Sequence, residues 1–297
     1  MDDIKIGVAI PAFNEGVTIG SVALESKKHA TMVLVVDDGS TDSTAEISSL
    51  ADVEIIKHPK NLGKGVSLKT AFNWAIKNKL DILVTLDGDG QHNPNEIPTL
   101  IKPIVMGNAD AVNGSRFMEI DNNAPGYRKL GQNLLTTATN IGSKSNTSDS
   151  QNGFRAFSKK TFDSFRFKTS GMGIESEMLI DLAKKGFTIV EIPISCKYNV
   201  NIPSKKNPFS HGISVLLTIV KFVGADRPLT FFGIPGLIVL IIGVYFGINV
   251  VNIFYATSEI ALGTALLMLL LIISGIFAIF AGLILYVISS TIKSLSG

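Results

Sequence analysis

Hydrophobic and polar positions divide this chain into two regimes. Up to about residue 228, short apolar runs alternate with amphipathic stretches. Beyond it come two long apolar blocks, 230–254 and 262–288, that hold no Lys, Arg, Asp or Glu. In the first regime Lys5–Ile10 reads as a strand stopped by Pro11, and Val17–Lys28 as a helix. Met32–Val36 is a second strand. Ser43–Leu50 follows as a helix capped by Asp42 or Ser43, then Val53–Lys57 as a third strand. A helix running to about Asn78 puts Ala71, Phe72 and Ala75 on one face. Ile82–Leu86 is the most apolar strand. Pro94–Met106 reads as a helix despite Pro98 and Pro103, and Ala109–Asn113 as a further strand. Polar Glu119–Tyr127 reads as a loop, Arg128–Ile141 as a helix, Ser143–Ser150 as turns, and a short strand follows Arg155. Glu175–Lys185 is a helix and Thr188–Ile194 a strand. Such alternation predicts an α/β domain with a mainly parallel, doubly wound sheet.

Each long apolar block exceeds the roughly 20 residues that cross a bilayer. Two transmembrane helices are therefore expected, preceded by an amphipathic interfacial helix at 213–228 with Lys221 embedded in it. Lys221, Arg227 and Lys293 flank the outer ends, whereas the Tyr255–Ala261 connection carries only Glu259. A positive-inside arrangement puts both termini and the first domain in the cytoplasm of a multi-pass cell-membrane protein. The acidic N-terminus runs straight into a strand pattern, so no secretory signal is expected ahead of it. A net charge of +2 over 297 residues gives no nucleic-acid signal. Single Cys196 excludes an internal disulfide framework and a Cys-rich zinc site.

Chemistry concentrates at strand ends. Asp87-Gly88-Asp89-Gly90-Gln91-His92 closes the most apolar strand. Two carboxylates one residue apart, spaced by glycine, suit a hard divalent cation with oxygen ligands, although Asp-Gly is also an ordinary turn pair. Pro11-Ala12-Phe13-Asn14-Glu15 and Asp37-Asp38-Gly39-Ser40 close two other strands. In a doubly wound sheet all three converge on one edge, where a nucleotide can lie. Neither a dinucleotide fingerprint nor a P-loop is present; Asn61-Leu62-Gly63-Lys64-Gly65 is too short for the latter.

Taken in order, PAFNE (11–15), VVDDGSTD (35–42), NLGKG (61–65), LDGDGQH (86–92), GSR (114–116) and DSQNGFR (149–155) resemble a family 2 glycosyltransferase. The likeness covers about residues 4–212 and is greatest to the dolichyl-phosphate (polyprenyl-phosphate) sugar synthases. It implies a GT-A fold over 1–212, with the membrane helices in 229–297. It also implies an inverting transfer of sugar from a nucleoside-diphosphate sugar to dolichyl or polyprenyl phosphate, with Mg²⁺ or Mn²⁺. UDP-glucose, UDP-N-acetylglucosamine and GDP-mannose are the donors considered.

By that resemblance Pro11, Phe13, Glu15, Val36, Asp38, Lys64, Asp87 and Gly88 bind the nucleotide sugar. Asp87, Asp89 and Gln91 hold metal and diphosphate. Arg116, Arg128 and Lys205 meet phosphates of donor or acceptor, and Asp89, Arg116 and Asp149 form the catalytic set. Asp149 either orients the acceptor or starts a turn. Where several relatives carry an arginine shortly before Lys205, this chain has Tyr198-Asn199, with Lys197 and Lys206 as substitutes. No Q-x-x-R-W motif of processive polymer synthases occurs; Trp74 lies far too early. A nucleotide-sugar-binding regulatory protein and a nucleotidyltransferase stay open as alternatives, as does a homo-oligomer.

Overall fold

The computed structural model describes residues 4–118, 136–137, 139–140, 147–168, 173–197 and 228–295. The chain divides into two compact units, 1–215 and 216–297. The expected loop at Glu119–Tyr127, residues Arg128, Tyr198, Asn199, Lys205 and Lys206, and the interfacial helix at 213–224 lie outside the described residues. Of the helix expected over 128–141, Thr136, Thr137, Thr139 and Asn140 are described and helical.

The first unit is an α/β domain. In chain order its elements are β1 (Ile6–Ala12), α1 (Ile19–Lys27), β2 (Met32–Asp37), α2 (Thr44–Leu50), β3 (Glu54–Lys57) and α3 (Lys64–Lys77). There follow β4 (Ile82–Thr85), α4 (Ile97–Val105), β5 (Ala111–Ser115), β6 (Arg155–Ser158), α5 (Ile174–Lys184) and β7 (Ile189–Pro193). The seven strands pair in the order β3-β2-β1-β4-β6-β5-β7. All neighbouring pairs are parallel except those of β6, which returns antiparallel between β4 and β5. The sheet is thus mainly parallel, as the alternation of elements predicts.

Side chains alternate faces along each strand. Val8, Ile10, Val33, Val35, Ile82, Val84 and Val112 pack on one face with Ile19, Val22, Ile97 and Leu100. Ala9, Leu34, Leu83, Ala111 and Phe157 pack on the other with Leu68, Phe72, Trp74 and Met178, beneath α3 and α5. Toward the carboxyl ends of the strands this second face turns polar. Thr85, Arg155, Asn113 and Glu191 are successive register partners across β4, β6, β5 and β7. Helices α3 and α5 start at that edge, so Lys64 and Glu175, both in their first turns, are delivered there.

The first strand does not stop at Pro11 as expected; it continues to Ala12. The carbonyl of Ala9 faces β4 and accepts from Leu86 N at 3.1 Å. Pro11, two residues on, faces the same side, where β4 has already ended at Thr85 opposite Ala9. Its missing N–H therefore costs no ladder bond. Pro94 to Met106 divides into a 3₁₀ turn, Pro94–Glu96, and α4, with Pro98 in the first helical turn and Pro103 inside. Asp42, not Ser43, serves the start of α2: its carboxylate accepts from Thr44 N at 3.0 Å and Gly16 N at 3.1 Å.

The described part of the second unit comprises a π-helical turn, Leu229–Gly233, continuing as α6 (Ile234–Thr257), and then α7 (Leu262–Leu295). Both are long and apolar enough to cross a membrane over 229–257 and 262–288. Within α6 only Gly236 and Gly243 are buried. A Cβ on Gly236 would lie 2.9 Å from the Gly275 carbonyl, and one on Gly275 2.8 Å from that of Gly236. The helices therefore meet backbone to backbone through small residues, and large apolar side chains such as Ile241, Leu270 and Phe277 face outward. So much exposed apolar surface suits lipid, not water.

Two glycines separate backbone conformation from crowding. Gly39 and Gly107 both adopt a φ of +74°, but a Cβ on Gly39 would lie 2.4 Å from the Lys60 carbonyl carbon, whereas Gly107 has nothing within 4 Å. Gly39→Ala should therefore destabilise by about 2 kcal/mol more than Gly107→Ala, the usual size of an overpacking penalty. Denaturant titration of the two variants in detergent checks this; equal losses would mean that the 37–40 and 60–61 segments do not touch.

Candidate active site

Thr85 is the last residue of β4, and Asp87 follows on the polar face. Its carboxylate packs against the main chain of Gly153, where a Cβ would lie 2.4 Å from Asp87 Oδ2. Lys64 Nζ sits 2.6 Å from Asp87 Oδ1 and 2.7 Å from Glu175 Oε1. Burial works to lower the Lys64 pKa, but Asp87 and Glu175 outweigh it and hold it above the ordinary lysine value. Burial likewise opposes ionisation of Asp87, yet Lys64 above all keeps its carboxyl below the usual range. Asp89 is shifted the other way: burial, then the like charge of Asp87, raise it. Among the described residues, Asp87 thus forms an ion pair with a lysine and Asp89 forms none. Gln91 orients Asp89 through its main chain, N to Oδ1 at 3.0 Å, while its side-chain oxygen lies 3.9 Å from Cys196 Sγ.

The three polar strand ends do converge. Asn14 N donates to Ser40 Oγ at 2.9 Å, Asn14 Oδ1 accepts from Thr41 N at 2.8 Å, and Glu15 N donates to Thr44 Oγ1 at 2.8 Å. The 11–15 and 37–42 loops are therefore stitched together. Phe13 stands 41% exposed at this edge, an aromatic face open to a planar ligand. Gly88 is tied to α1 through Thr18, whose hydroxyl donates to the Gly88 carbonyl at 2.7 Å. Val36, expected at the nucleotide, is fully buried inside β2, between β1 and β3, and presents no surface to a ligand.

Asp38 points inward. It accepts from Leu62 N at 3.0 Å and Gly63 N at 2.7 Å, and His58 Nδ1 lies 2.7 Å from it. These contacts shape the loop that ends in Lys64, so Asp38 acts on the site by placing that lysine.

Arg116 and Asp149, separate candidates in the sequence, are one unit. Arg116 Nε and Nη2 donate to the two Asp149 oxygens at 2.7 and 2.8 Å, and Arg116 N donates to Oδ2 at 3.2 Å. Asp149 is fully buried, and the fork of bonds fixes the plane of the guanidinium at the end of β5.

Sequence reading missed several members of the site. Glu175 reads there only as the first residue of a helix. Arg155, which closes the 149–155 motif, is given no role there; the structure makes it the first residue of the buried strand β6, and a charge leading into such a run is the signal that could have marked it. Its guanidinium is buried and donates to the Glu175 carbonyl at 2.7 Å and the Ser150 carbonyl at 2.8 Å. Burial pulls its pKa down to about 10 against the opposing pull of Glu175 and Asp149. A small cavity beside Asp87 is lined by Lys64, Thr85, Gly153, Arg155 and Glu175. His92 is buried against Phe154, and burial drives its pKa down to about 4, so it is neutral near pH 7.

Residues 7–166, more than half of the chain, match the family described as Glycosyl transferase family 2. The chain belongs to that family. Among the relatives of this glycosyltransferase is the UDP-N-acetylglucosamine–dolichyl-phosphate N-acetylglucosaminyltransferase of Methanococcus voltae. It is 33% identical over 220 residues, covering 67% of this chain and 88% of that protein. The undecaprenyl-phosphate mannosyltransferase of Micrococcus luteus is 30% identical over 206 residues, covering 65% and 83%. Among solved structures, glucosyl-3-phosphoglycerate synthase from Mycobacterium tuberculosis, in complex with Mn²⁺, uridine-diphosphate and phosphoglyceric acid, superposes with a TM-score of 0.58. At 21% identity, over 74% of this chain and 79% of that one, the likeness is one of fold.

Lys64→Met tests the charge balance of the glycosyltransferase site. It leaves Asp87 and Glu175 facing each other without their cation. The expected loss is about 2–4 kcal/mol, below that of a wholly buried pair because solvent screens part of it. Adding Glu175→Gln should restore part of the stability. A fully additive double variant in denaturant titration would show that the two carboxylates are not coupled through Lys64.

Proposed function

We propose that this glycosyltransferase is a membrane enzyme that moves a sugar from a nucleoside-diphosphate sugar to the phosphate of a dolichyl or polyprenyl lipid. The observation that carries the reading is the pairing at one sheet edge of an acidic couple, Asp87 and Asp89, with an oriented cation, Arg116. The names of the Methanococcus and Micrococcus relatives, both polyprenyl-phosphate sugar transferases, support the lipid acceptor. The two long apolar helices support a membrane location, where a polyprenyl tail resides.

The acidic couple fits a hard divalent cation, Mg²⁺ or Mn²⁺. Among the described residues no group of three or more His, Cys, Asp or Glu side chains forms a ready cage. One or two carboxylates completed by substrate phosphates is the usual arrangement for Mg²⁺ in phosphate chemistry. Burial and the like charge of Asp87 raise the Asp89 pKa, and a bound cation beside it would offset both. Asp89 would be the principal ligand, with Asp87 and Gln91 assisting. When bound, the ion supplies Lewis-acid stabilisation of the charge that develops on the leaving nucleoside diphosphate.

The chain's own residues supply the rest. Phe13, Pro11, Glu15 and Gly88 border the nucleotide side; Lys64 and Asp38 keep Asp87 in place. Arg116, held by Asp149, orients the acceptor phosphate, with Arg128 and Lys205 as further phosphate-binding cations. A phosphate monoester has a second pKa near 6, so the acceptor is largely dianionic at neutral pH. The site therefore needs cations to position a nucleophile, not a strong base to create one. Of the donors, a UDP sugar is favoured, on the name of the Methanococcus relative. Lys221, Arg227 and Lys293 favour cytoplasmic termini.

The test offers membranes containing the protein a panel of UDP-glucose, UDP-N-acetylglucosamine and GDP-mannose with polyprenyl phosphate. One donor should yield a lipid-phosphate-linked sugar and nucleoside diphosphate, only with divalent metal present. Asp89→Ala should remove transfer while leaving the fold intact. Pyrophosphate as the product, or undiminished turnover in EDTA, would contradict the assignment.

A further inference from the structure

The segment that carries Asp149 is irregular, so its main-chain groups need partners from outside a ladder. Asn140 serves both main-chain groups of Thr147, and one carboxylate, that of Glu191, takes the next two N–H groups, those of Ser148 and Asp149. Glu191 lies on β7, the edge strand, directly across from Asn113 on β5. Its Oε1 accepts from Asn113 Nδ2 at 2.7 Å, Asp149 N at 3.4 Å and the Thr147 hydroxyl. Its Oε2 accepts from Ser148 N at 2.7 Å and Ser148 Oγ at 2.8 Å. Asn113 in turn donates to the Asp149 carbonyl at 2.8 Å. Ser148 Oγ lies 2.6 Å from Ser115 Oγ, which accepts from Phe117 N at 3.2 Å. The residues on either side of Arg116 and the residue before Asp149 are thus tied to one carboxylate. A charged residue on an edge strand ordinarily faces solvent and deters pairing. This one is turned along the sheet face and surrounded by donors.

We propose that Glu191 is the positioning residue of the site: it seats residues 147–149 so that Asp149 presents both oxygens to Arg116. The proposal rests on the reading of Arg116 as the acceptor-phosphate cation and assigns its orientation to a residue that meets neither substrate. A carboxylate is the required group because every partner around it is a donor. Glutamine at 191 keeps one accepting oxygen but turns an NH₂ toward other N–H and O–H groups, so it retains part of the function. Alanine retains none.

The experiment is a pair of double-mutant cycles on the full-length protein, with Glu191→Ala, Arg116→Ala and their combination, and with Glu191→Gln as the milder variant. In kinetics, Glu191→Ala should lower kcat/KM for polyprenyl phosphate by up to about 100-fold, the cost of a misplacement on the order of 1 Å. Glu191→Gln should fall between it and wild type, and the Kd for donor nucleotide should hold within about twofold, since its contacts are elsewhere. The double variant should lose no more than Arg116→Ala alone. In thermal denaturation the same cycle should be non-additive. Additive kinetic losses, or unchanged transfer by folded Glu191→Gln and Glu191→Ala proteins, would overturn the proposal. If the wild-type protein makes no lipid-linked sugar, the acceptor reading fails instead. The stability cycle then judges the link by itself, additivity refuting it.

Discussion

A carboxylate at the end of a central strand has to be balanced, and much of this domain is arranged to balance Asp87. Its position follows from the apolar run of β4, which carries the chain to the sheet edge. Gly153 leaves room for its oxygens, and the Lys64 ammonium, 2.6 Å away, supplies the charge. Lys64 is delivered by α3, whose entry loop is shaped by hydrogen bonds to Asp38. Glu175 shares the same ammonium from α5. Removing Lys64 leaves two carboxylates facing each other near the core without a cation, which costs more than the intact set contributes.

Polar contacts run outward from there. Asp87 and Glu175 face Lys64, the Glu175 carbonyl faces Arg155, Asp149 faces Arg116, and Glu191 seats Asp149. Each side chain comes from a different element, and the sheet register brings Thr85, Arg155, Asn113 and Glu191 into one row. Such a row can hold polar groups in place while the apolar layer beneath α3 and α5 excludes water from the fold.

The strand ends were legible in the sequence because an apolar run that breaks into Asp, Gly and Ser is a local pattern. The mainly parallel sheet, the Asp87–Asp89 pair and the two long apolar helices were read in the same way. What was not legible depends on contacts far apart in the chain. Pro11 looked like a strand stop because its tolerance depends on where β4 ends. The contacts of Asp38 were not visible because its partners, Leu62 and Gly63, lie 24 and 25 residues away. Glu175 and Glu191 looked like ordinary acids of a helix start and a strand. Arg116 and Asp149, 33 residues apart, each had a reading of their own until the fold joined them.

Chemically, the site has cations that can hold a phosphate nucleophile, and it needs no base to generate one. Under the proposed reaction, direct attack by that phosphate on the anomeric carbon would take place in one displacement. The measurement that bears most directly on this is the anomeric configuration of the lipid-phosphate-linked sugar, read by NMR from an α-linked nucleotide donor. A β-linked product is the predicted result. An α-linked product would require a covalent glycosyl-enzyme intermediate or a different face of attack, and would contradict the mechanism.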